Sequence, residues 1–219
     1  GEYSIEVLAA GLLAFVRRYL PGHPVEAAAR WLDANGQRRA GVHKQFERPL
    51  PARPPGFCVG CPERPVFSAL KLVQQEIGKV HIAADIGCHA FGTFEPFSSG
   101  HSILGYGMSL ASRAGVGPMM QRRTLAIMGD GGFWHNGLIT GVQSALFNKD
   151  DAVLLIFKNG YTSATGTQEI ISTPSDQARA EAADKLGSLT HTNQTIETTL
   201  KGLGVEWMRT VHTYRVEAM

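Results

Sequence analysis

Two apolar runs, each followed by glycine and by a side chain with a hard oxygen donor, constrain the fold of this chain most strongly. Residues 124–128 lead into Gly129-Asp-Gly-Gly132, and residues 152–157 lead into Lys158-Asn-Gly-Tyr161. Short, uninterrupted apolar runs are typical of parallel strands that are buried on both faces. Asn159 comes about 30 residues after Asp130, which is the length of one strand–helix–strand unit. We therefore expect both side chains at one sheet edge, beyond the carboxyl ends of the strands.

This edge has the chemistry of a site for a metal-bound diphosphate. Carboxylate and amide oxygens are the ligands that Mg²⁺ takes in proteins, and glycine lets backbone amides approach a phosphate closely. A helix expected from about Gly137 to Phe147 would direct its N-terminus at the anion. The alternative is an ordinary Gly-Asp-Gly turn that binds nothing.

The spacing of these two motifs resembles that of thiamine diphosphate (ThDP) enzymes. The resemblance implies that the Asp130 carboxylate, the Asn159 side chain and the Tyr161 carbonyl hold Mg²⁺. The other residues that it places against the cofactor are Gly129, Gly131, Gly132, Thr162 and Thr165. The two threonines have a simpler alternative, since threonine hydroxyls also cap turns.

An earlier segment, Ser102–Met108, also resembles ThDP enzymes, in which a small residue, a bulky residue and a Gly-aromatic-Gly sequence follow each other. The resemblance implies that Leu104 wedges between the two cofactor rings and holds the cofactor bent, a proximity effect that is part of catalysis. It also implies that the backbone of Ser102 and Leu104 holds the aminopyrimidine. The alternative is the start of a helix with Leu104 in the core.

The three cysteines, Cys58, Cys61 and Cys88, allow three interpretations. They are buried thiols without a function, or Cys58 and Cys61 are a redox dithiol, or all three ligate an iron–sulfur cluster. Three thiolates leave a four-ligand cluster one ligand short. An odd number of cysteines argues against a disulfide framework.

Taken together, Cys58-Val-Gly-Cys61-Pro-Glu-Arg64, Asp85-Ile-Gly-Cys88 and Gly129-Asp-Gly131 resemble the ThDP-binding part of 2-oxoacid:ferredoxin oxidoreductases, most closely the alpha subunit of the indolepyruvate-type enzymes. The resemblance implies oxidative decarboxylation of an aryl pyruvate to an acyl-coenzyme A, with electrons passed to ferredoxin. In the related pyruvate enzymes, cysteines at the places of Cys58, Cys61 and Cys88 bind a 4Fe–4S cluster with a fourth cysteine from later in the chain, whereas indolepyruvate-type subunits carry clusters chiefly in another domain. The resemblance thus implies either a cluster on these three cysteines or a site without one. The implied partners are a pyrimidine-binding domain of the same or another subunit, a second (beta or gamma) subunit, ferredoxin, the 2-oxoacid and coenzyme A.

Catalytic groups beyond the cofactor are harder to assign. In ThDP enzymes a glutamate on another domain activates the pyrimidine, and neither Glu63 nor Glu95 lies in a matching motif. His135 is a candidate proton or hydrogen-bond donor to the substrate carboxylate or oxyanion, with helix capping or packing as the alternative. His89 and His101 are expected in a loop, 89–101, near the active edge.

Strand–helix alternation predicts an α/β fold, a three-layer parallel sheet with helices on both faces, as in ThDP-binding domains. We expect residues 1–35 to be the helical tail of a preceding domain, 36–55 a Pro/Arg-rich linker, and 56–219 the ThDP/Mg-binding domain, truncated at its C-terminus. Smaller expectations are a helix over 103–115, a polar surface excursion over 172–192, and a helix near 195–203 followed by a strand at 205–211.

Composition excludes several other classes of function. A net charge of +2 is too small to indicate a nucleic-acid or membrane surface, and no apolar run reaches the ~20 residues of a membrane span. The cysteine count fits a reducing, cytoplasmic compartment. Two alternatives share part of the pattern: half of a non-oxidative ThDP-dependent decarboxylase or synthase, and a receiver-like module that binds Mg²⁺ and phosphate without ThDP.

Overall fold

The computed structural model describes residues 4–46, 55–173 and 195–219. The chain divides into two compact units, Gly1–Pro54 and Pro55–Met219. Within the described ranges, no helix is both long enough and apolar enough to cross a membrane.

The first unit contains two helices, α1 (Ile5–Tyr19) and α2 (Glu26–Lys44). Helix α1 begins after Ser4, whose hydroxyl accepts a hydrogen bond from the Val7 N–H. The expectation that residues 36–44 belong to an extended linker is wrong, because α2 continues to Lys44 without a proline to interrupt it. The rest of the expected linker, 47–54, lies outside the described residues.

The second unit contains a parallel sheet with helices packed on it. In chain order its elements are α3 (Glu63–Ile77), β1 (Ile82–Ala83), α4 (Ser109–Val116), β2 (Thr124–Gly129), α5 (Asp130–Gly132, Phe133–Gln143 and Ser144–Phe147), β3 (Ala152–Phe157), β4 (Tyr161–Thr162), β5 (Gln168–Glu169) and α6 (Ile196–Gly202). Helix α5 opens with one α-helical turn, continues as a π-helix and closes as an α-helix. Short 3-10 helices occupy Cys88–Thr93, Gly117–Met119 and Val216–Ala218.

The central sheet has the strand order β1-β2-β3, and both pairings are parallel. Residue pairs run in register from Thr124 with Ala152 to Gly129 with Phe157. Because β2 and β3 end together, the residues that follow them begin at the same edge. Strands β4 and β5 form a separate antiparallel pair.

Side chains of β2 alternate between two hydrophobic cores, one on each face of the sheet. The first core contains residues of β2, α4, α5 and α6, namely Leu110, Ala126, Met128, Phe133, Val142, Ile196 and Leu200. The second contains residues of β2, β1, α3 and the connection between α3 and β1, namely Phe67, Leu70, Val80, Ile82 and Ile127. Helices therefore cover both faces, which confirms the predicted α/β class.

Three predicted boundaries differ from the structure. The predicted helix over 103–115 starts only at Ser109. Gly107 adopts a φ of 77°, and this conformation cannot be part of an α-helix. Helix α5 starts at Asp130 rather than near Gly137, immediately after the strand. Residues 205–211 do not form a strand, although Val205 and Met208 pack against the first core. Most of the expected excursion, 174–192, lies outside the described residues.

A buried arginine ties α4 to the amino ends of β2 and β3. Arg113 is 4% exposed, and its guanidinium donates to the Thr124 hydroxyl and the Asp151 carbonyl. It also forms an ion pair with Asp150 at 3.2 Å. The neighbouring pair Arg123–Asp151 is, by contrast, largely exposed. Burial decides which of the two pairs matters for stability, since exposed pairs contribute little.

We predict that Asp150→Asn lowers the free energy of unfolding by about 2–3 kcal/mol, because it leaves the buried Arg113 guanidinium without its counter-charge. The matched substitution Asp151→Asn, at the exposed pair, should cost less than about 1 kcal/mol. Urea unfolding at pH 7 measures both values. Equal losses in the two variants would contradict the distinction.

Candidate active site

The carboxyl ends of β2 and β3 meet at Asp130. One carboxylate oxygen of Asp130, Oδ2, accepts hydrogen bonds from the backbone N–H groups of Asn159 (2.9 Å) and Gly160 (2.6 Å). The other, Oδ1, accepts one from the N–H of Gly131 at 2.9 Å. The structure thus brings together the two residues, Asp130 and Asn159, that the sequence analysis placed at one edge.

Asp130 is a buried carboxylate without a cationic partner. It is 2% exposed, and no lysine, arginine or histidine forms an ion pair with it within the described ranges. Burial raises the pKa of its carboxyl group, although the three backbone amides oppose this effect. A carboxylate offers about four lone-pair positions, and the three amides leave room for one more partner. A metal cation fits this position.

The other predicted Mg²⁺ ligands lie next to Asp130 in the chain turn that follows β3. The Asn159 side chain is exposed, and its Oδ1 accepts a hydrogen bond from the Tyr161 N–H at 3.2 Å. Tyr161 is 38% exposed, at the first position of β4. A carboxylate, a side-chain amide and a backbone carbonyl form an all-oxygen donor set that suits Mg²⁺.

The positions after Asp130 require glycine, because neighbouring groups lie where a side chain would begin. A Cβ atom on Gly131 would lie 2.3 Å from the Tyr106 hydroxyl and 2.4 Å from the Thr162 hydroxyl. A Cβ atom on Gly132 would lie 2.8 Å from Oδ2 of Asp85. These distances are shorter than real contacts, so bare backbone is required here. The start of α5 therefore consists of bare backbone, of the kind that an anion such as a diphosphate approaches at helix N-termini.

Tyr106 and Thr162 form a hydroxyl pair above Gly131. Their oxygen atoms are 3.2 Å apart, so the loop that contains Tyr106 contacts the β4–β5 hairpin there. Both line the pocket that also contains Asp130 and Asn159. Thr165, the other predicted threonine, is not part of this pocket: it is exposed and donates to Gln168 at 2.6 Å.

Asp85 fixes the glycine loop, by which we mean Ser102–Met108, and this role was missed by sequence reasoning. This side chain is fully buried, and both its oxygens accept hydrogen bonds from the Gly107 N–H, at 2.8 and 2.9 Å. Oδ1 also accepts one from the Ile86 N–H. Burial raises the pKa of Asp85 to about 6, against the opposing effect of these amides. The end of β1 thereby fixes the loop that leads into α4.

Leu104 and Ser102 lie at the end of β1, in the segment that the resemblance singled out. Leu104 is 74% exposed, so the alternative that it belongs to the core is wrong. Ser102 is held against β1, where its carbonyl accepts the Ala84 N–H at 2.9 Å and its hydroxyl lies 3.2 Å from His81 Nε2. The loop therefore presents a bulky apolar side chain outward from a fixed backbone.

The three predicted histidines occupy different surroundings. His135 is exposed on α5, with its ring 5.0 Å from that of Tyr106, and it makes a small contribution against the burial that raises the pKa of Asp85. His89 is 2% exposed, stacks on Phe157, and has a pKa that burial lowers to about 4, so it is neutral at pH 7. His101 accepts the Ile82 N–H through Nδ1, which is a structural role at the end of β1.

The cysteines do not form a metal site in the part of the chain that the structure describes. All three are free, Cys58 is exposed, and no three His, Cys, Asp or Glu side chains are grouped to hold a metal ion there. Cys88 lines the pocket and lies 3.5 Å from the Ser163 hydroxyl. Burial raises the pKa of the Cys61 thiol. As they are placed in this structure, these residues do not form the expected iron–sulfur site.

Glu63, for which the sequence offered no role, is a buried wall of the same pocket. It opens helix α3 and is 9% exposed, and its Oε2 lacks a hydrogen-bond partner within the described ranges. Burial, followed by repulsion from Asp130, raises its pKa to about 7. Glu63 lies within the motif Cys58–Arg64, but the motif does not predict its burial, because that depends on contacts between segments that are distant in sequence.

We predict that Glu63→Gln stabilises the ligand-free chain above pH 7, because an acid whose pKa rises on folding destabilises the fold once it ionises. The penalty is absent below pH 4.5, grows between pH 4.5 and about 7, and is complete above that pH. The melting temperatures of variant and wild type, measured with a chelator, should therefore coincide in acid and diverge as the pH rises. The exposed Glu76→Gln, on the same helix, should follow wild type throughout. A constant difference at all pH values would contradict the assignment.

Comparison with known proteins agrees with this geometry. The family described as "Thiamine pyrophosphate enzyme, C-terminal TPP binding domain" matches residues 81–219. The chain is 30% identical over 181 residues to the indolepyruvate oxidoreductase subunit IorA of Methanothermobacter thermautotrophicus, covering 80% of this chain and 28% of that protein. It is 31% identical over 169 residues to the same subunit of Archaeoglobus fulgidus, covering 77% of this chain and 26% of that protein.

The chain therefore spans only about a quarter of the length of these curated relatives. The predicted resemblance to the ThDP-binding part of indolepyruvate-type enzymes is confirmed by these matches. This chain belongs to the thiamine pyrophosphate enzymes, and its residues 81–219 are their C-terminal TPP-binding domain.

Proposed function

We propose that this chain is the ThDP- and Mg²⁺-binding part of an oxidoreductase that oxidatively decarboxylates a 2-oxoacid, an aryl pyruvate such as indolepyruvate, to an acyl-coenzyme A. Electrons pass to ferredoxin. The buried Asp130 carboxylate, which has no ion-pair partner among the described residues and lies beside Asn159 at the sheet edge, carries the cofactor part of the proposal. Similarity to subunits named as indolepyruvate oxidoreductase supports the reaction.

Mg²⁺ is held by the Asp130 carboxylate, the Asn159 side chain and the Tyr161 carbonyl. The diphosphate would lie against the backbone after Gly129, at Gly131 and Gly132, although the Gly131 N–H donates to Oδ1 of Asp130 in this structure. The Thr162 hydroxyl faces the same pocket as a further hydrogen-bond donor. When bound, ThDP supplies the carbanion stabilisation that decarboxylation of a 2-oxoacid needs.

Other residues contact the rings of the cofactor and the substrate. Leu104, exposed on a fixed loop, packs between the cofactor rings, and the Ser102 backbone contacts the pyrimidine. His135 lies on the exposed face of α5 beside Tyr106, from where it donates a hydrogen bond to the substrate carboxylate or oxyanion. No step is assigned to Cys58, Cys61 and Cys88, because as they are placed in this structure they do not form an iron–sulfur site.

The remaining parts of the enzyme come from sequence that the curated relatives have in addition to this segment. We propose a pyrimidine-binding domain, of the same or another subunit, that supplies the activating glutamate, and a second subunit. Ferredoxin and coenzyme A are the further partners. Three free cysteines agree with a cytoplasmic protein.

We predict that Asp130→Asn weakens Mg²⁺-dependent ThDP binding at least about 100-fold, because the cation bridges the protein to the diphosphate charge. Calorimetric titration with and without Mg²⁺ measures the loss, and Asp151→Asn, an exposed aspartate, is the matched control. Undiminished binding by Asp130→Asn would remove the assignment.

In the assembled enzyme, the wild type should reduce ferredoxin only when an aryl pyruvate and coenzyme A are both present. Turnover without an electron acceptor would indicate a non-oxidative enzyme.

We predict that Gly131→Ala abolishes ThDP binding while the chain still folds, because the methyl group occupies the space between the Tyr106 and Thr162 hydroxyls. Those oxygens can move aside, but the diphosphate then loses its approach to the backbone. Gly115→Ala, on α4 with no atom near its Cβ position, is the control and should bind as wild type. Circular dichroism checks the fold, and ThDP titration checks the site. Wild-type affinity in Gly131→Ala would show that the diphosphate lies elsewhere.

A further inference from the structure

Glu63 is a buried carboxylate that lines the same pocket as Asp130 and that the proposed cofactor contacts do not use. Its side chain is 9% exposed, and Oε2 has no hydrogen-bond partner among the described residues. Burying a carboxylate oxygen without a donor costs free energy, so such atoms are rare in native proteins. The unpartnered Oε2 of Glu63 therefore indicates a ligand that donates a hydrogen bond to it.

The fold directs Glu63 at this pocket. Helix α3 precedes the parallel strand β1, so a chain that turns back from helix to strand starts the helix at the carboxyl edge of the sheet. Phe67, one turn after Glu63, is fully buried in the second core and fixes the face of the helix that is turned inward.

The position at the start of a helix does not by itself explain why Glu63 is buried. An acidic residue in the first turn interacts favourably with the helix dipole, and this benefit is equally available to an exposed side chain. Burying the Glu63 carboxylate costs free energy. The interaction with the helix dipole, worth roughly 0.3–1 kcal/mol, does not depend on burial and so does not explain it.

Charge in the pocket indicates what kind of ligand is missing. Asp130 and Glu63 are both acidic, and repulsion from Asp130 contributes to the raised pKa of Glu63. Neither forms an ion pair with a basic side chain in the described parts of the chain. His89, in the same pocket, is neutral because burial lowers its pKa. One divalent cation would offset both acidic groups.

Glu63 is not among the proposed Mg²⁺ ligands, which are the Asp130 carboxylate, the Asn159 side chain and the Tyr161 carbonyl. Mg²⁺ keeps part of its water shell when it binds to one or two protein groups and to substrate phosphate. Water molecules on a metal are held in turn by acceptors in the surrounding protein.

We propose that Glu63 accepts, through Oε2, a hydrogen bond from a water molecule on the divalent cation that Asp130 holds. The inference rests on the proposed function, since it takes the ThDP-bound Mg²⁺ as that cation. Glu63 is thus a positioning residue, which acts on the metal and not on the reacting atoms.

The test is a titration of Mg²⁺ at fixed ThDP, followed by calorimetry or by the tryptophan fluorescence of the whole 219-residue chain. Glu63→Gln keeps the shape and the acceptor oxygen but loses the charge, and Glu63→Ala loses both. We expect the Mg²⁺ concentration at half-saturation to rise about tenfold in Glu63→Gln and further in Glu63→Ala. Saturating Mg²⁺ should restore ThDP affinity in Glu63→Gln. Glu76→Gln, on the exposed face of the same helix, should titrate as wild type.

Each of the other outcomes contradicts a specific part of the two proposals. If Glu63→Gln titrates within twofold of wild type while Asp130→Asn loses binding, the role of Glu63 is refuted and the proposed function stands. If Glu63→Gln binds ThDP weakly even at saturating Mg²⁺, Glu63 acts on the fold or the diphosphate and not through the metal. If the wild type shows no Mg²⁺-dependent ThDP binding, both proposals fail.

Discussion

The rest of the candidate site depends on the hydrogen bonds between the Asp130 carboxylate and the backbone amides at the end of β3. Oδ2 holds the N–H groups of Asn159 and Gly160, and Oδ1 holds that of Gly131. One side chain at the end of β2 therefore sets the backbone path after both strands. The same bonds hold the carboxylate in place, so a metal at this position would meet ligands that are already arranged.

Asp85 repeats this arrangement one strand away. Its carboxylate follows β1 and holds the Gly107 N–H, as Asp130 follows β2 and holds amides after β3. The geometry has a cost, since burial raises the pKa of both carboxyl groups. The two groups differ in their surroundings. Gly132 approaches Asp85 so closely that a Cβ atom would clash, whereas Asp130 lines the pocket. Asp85 thus serves the fold, and Asp130 is available to a ligand.

The parts of the fold and of the site that could be predicted from the sequence depend on local patterns. The apolar runs of β2 and β3 and the motif residues directly after them are contiguous in the chain, so Asp130 and Asn159 could be placed at one edge. Glu63 and Tyr106 could not be placed there, because their positions depend on how α3 and the glycine loop pack against distant segments. Asp85 follows a predicted strand, but its role could not be predicted, because its partner is the loop and not its own strand. Residues 205–211 were predicted as a strand from their apolar pattern, but the chain there packs on the core without pairing.

The features that make this edge costly to fold are the ones that would let it bind. Buried Asp130 and Glu63 lack cationic partners in the described chain, and Leu104 is an apolar side chain left in solvent. Each of these is unfavourable in the isolated unit, and under the proposed function each would become favourable with a different component of the complete site. A cation would offset the carboxylates, and the rings of a bound cofactor would cover the leucine. Because a ligand that binds only the native state stabilises it, loss of the ligand should weaken this edge of the sheet before it weakens the two cores.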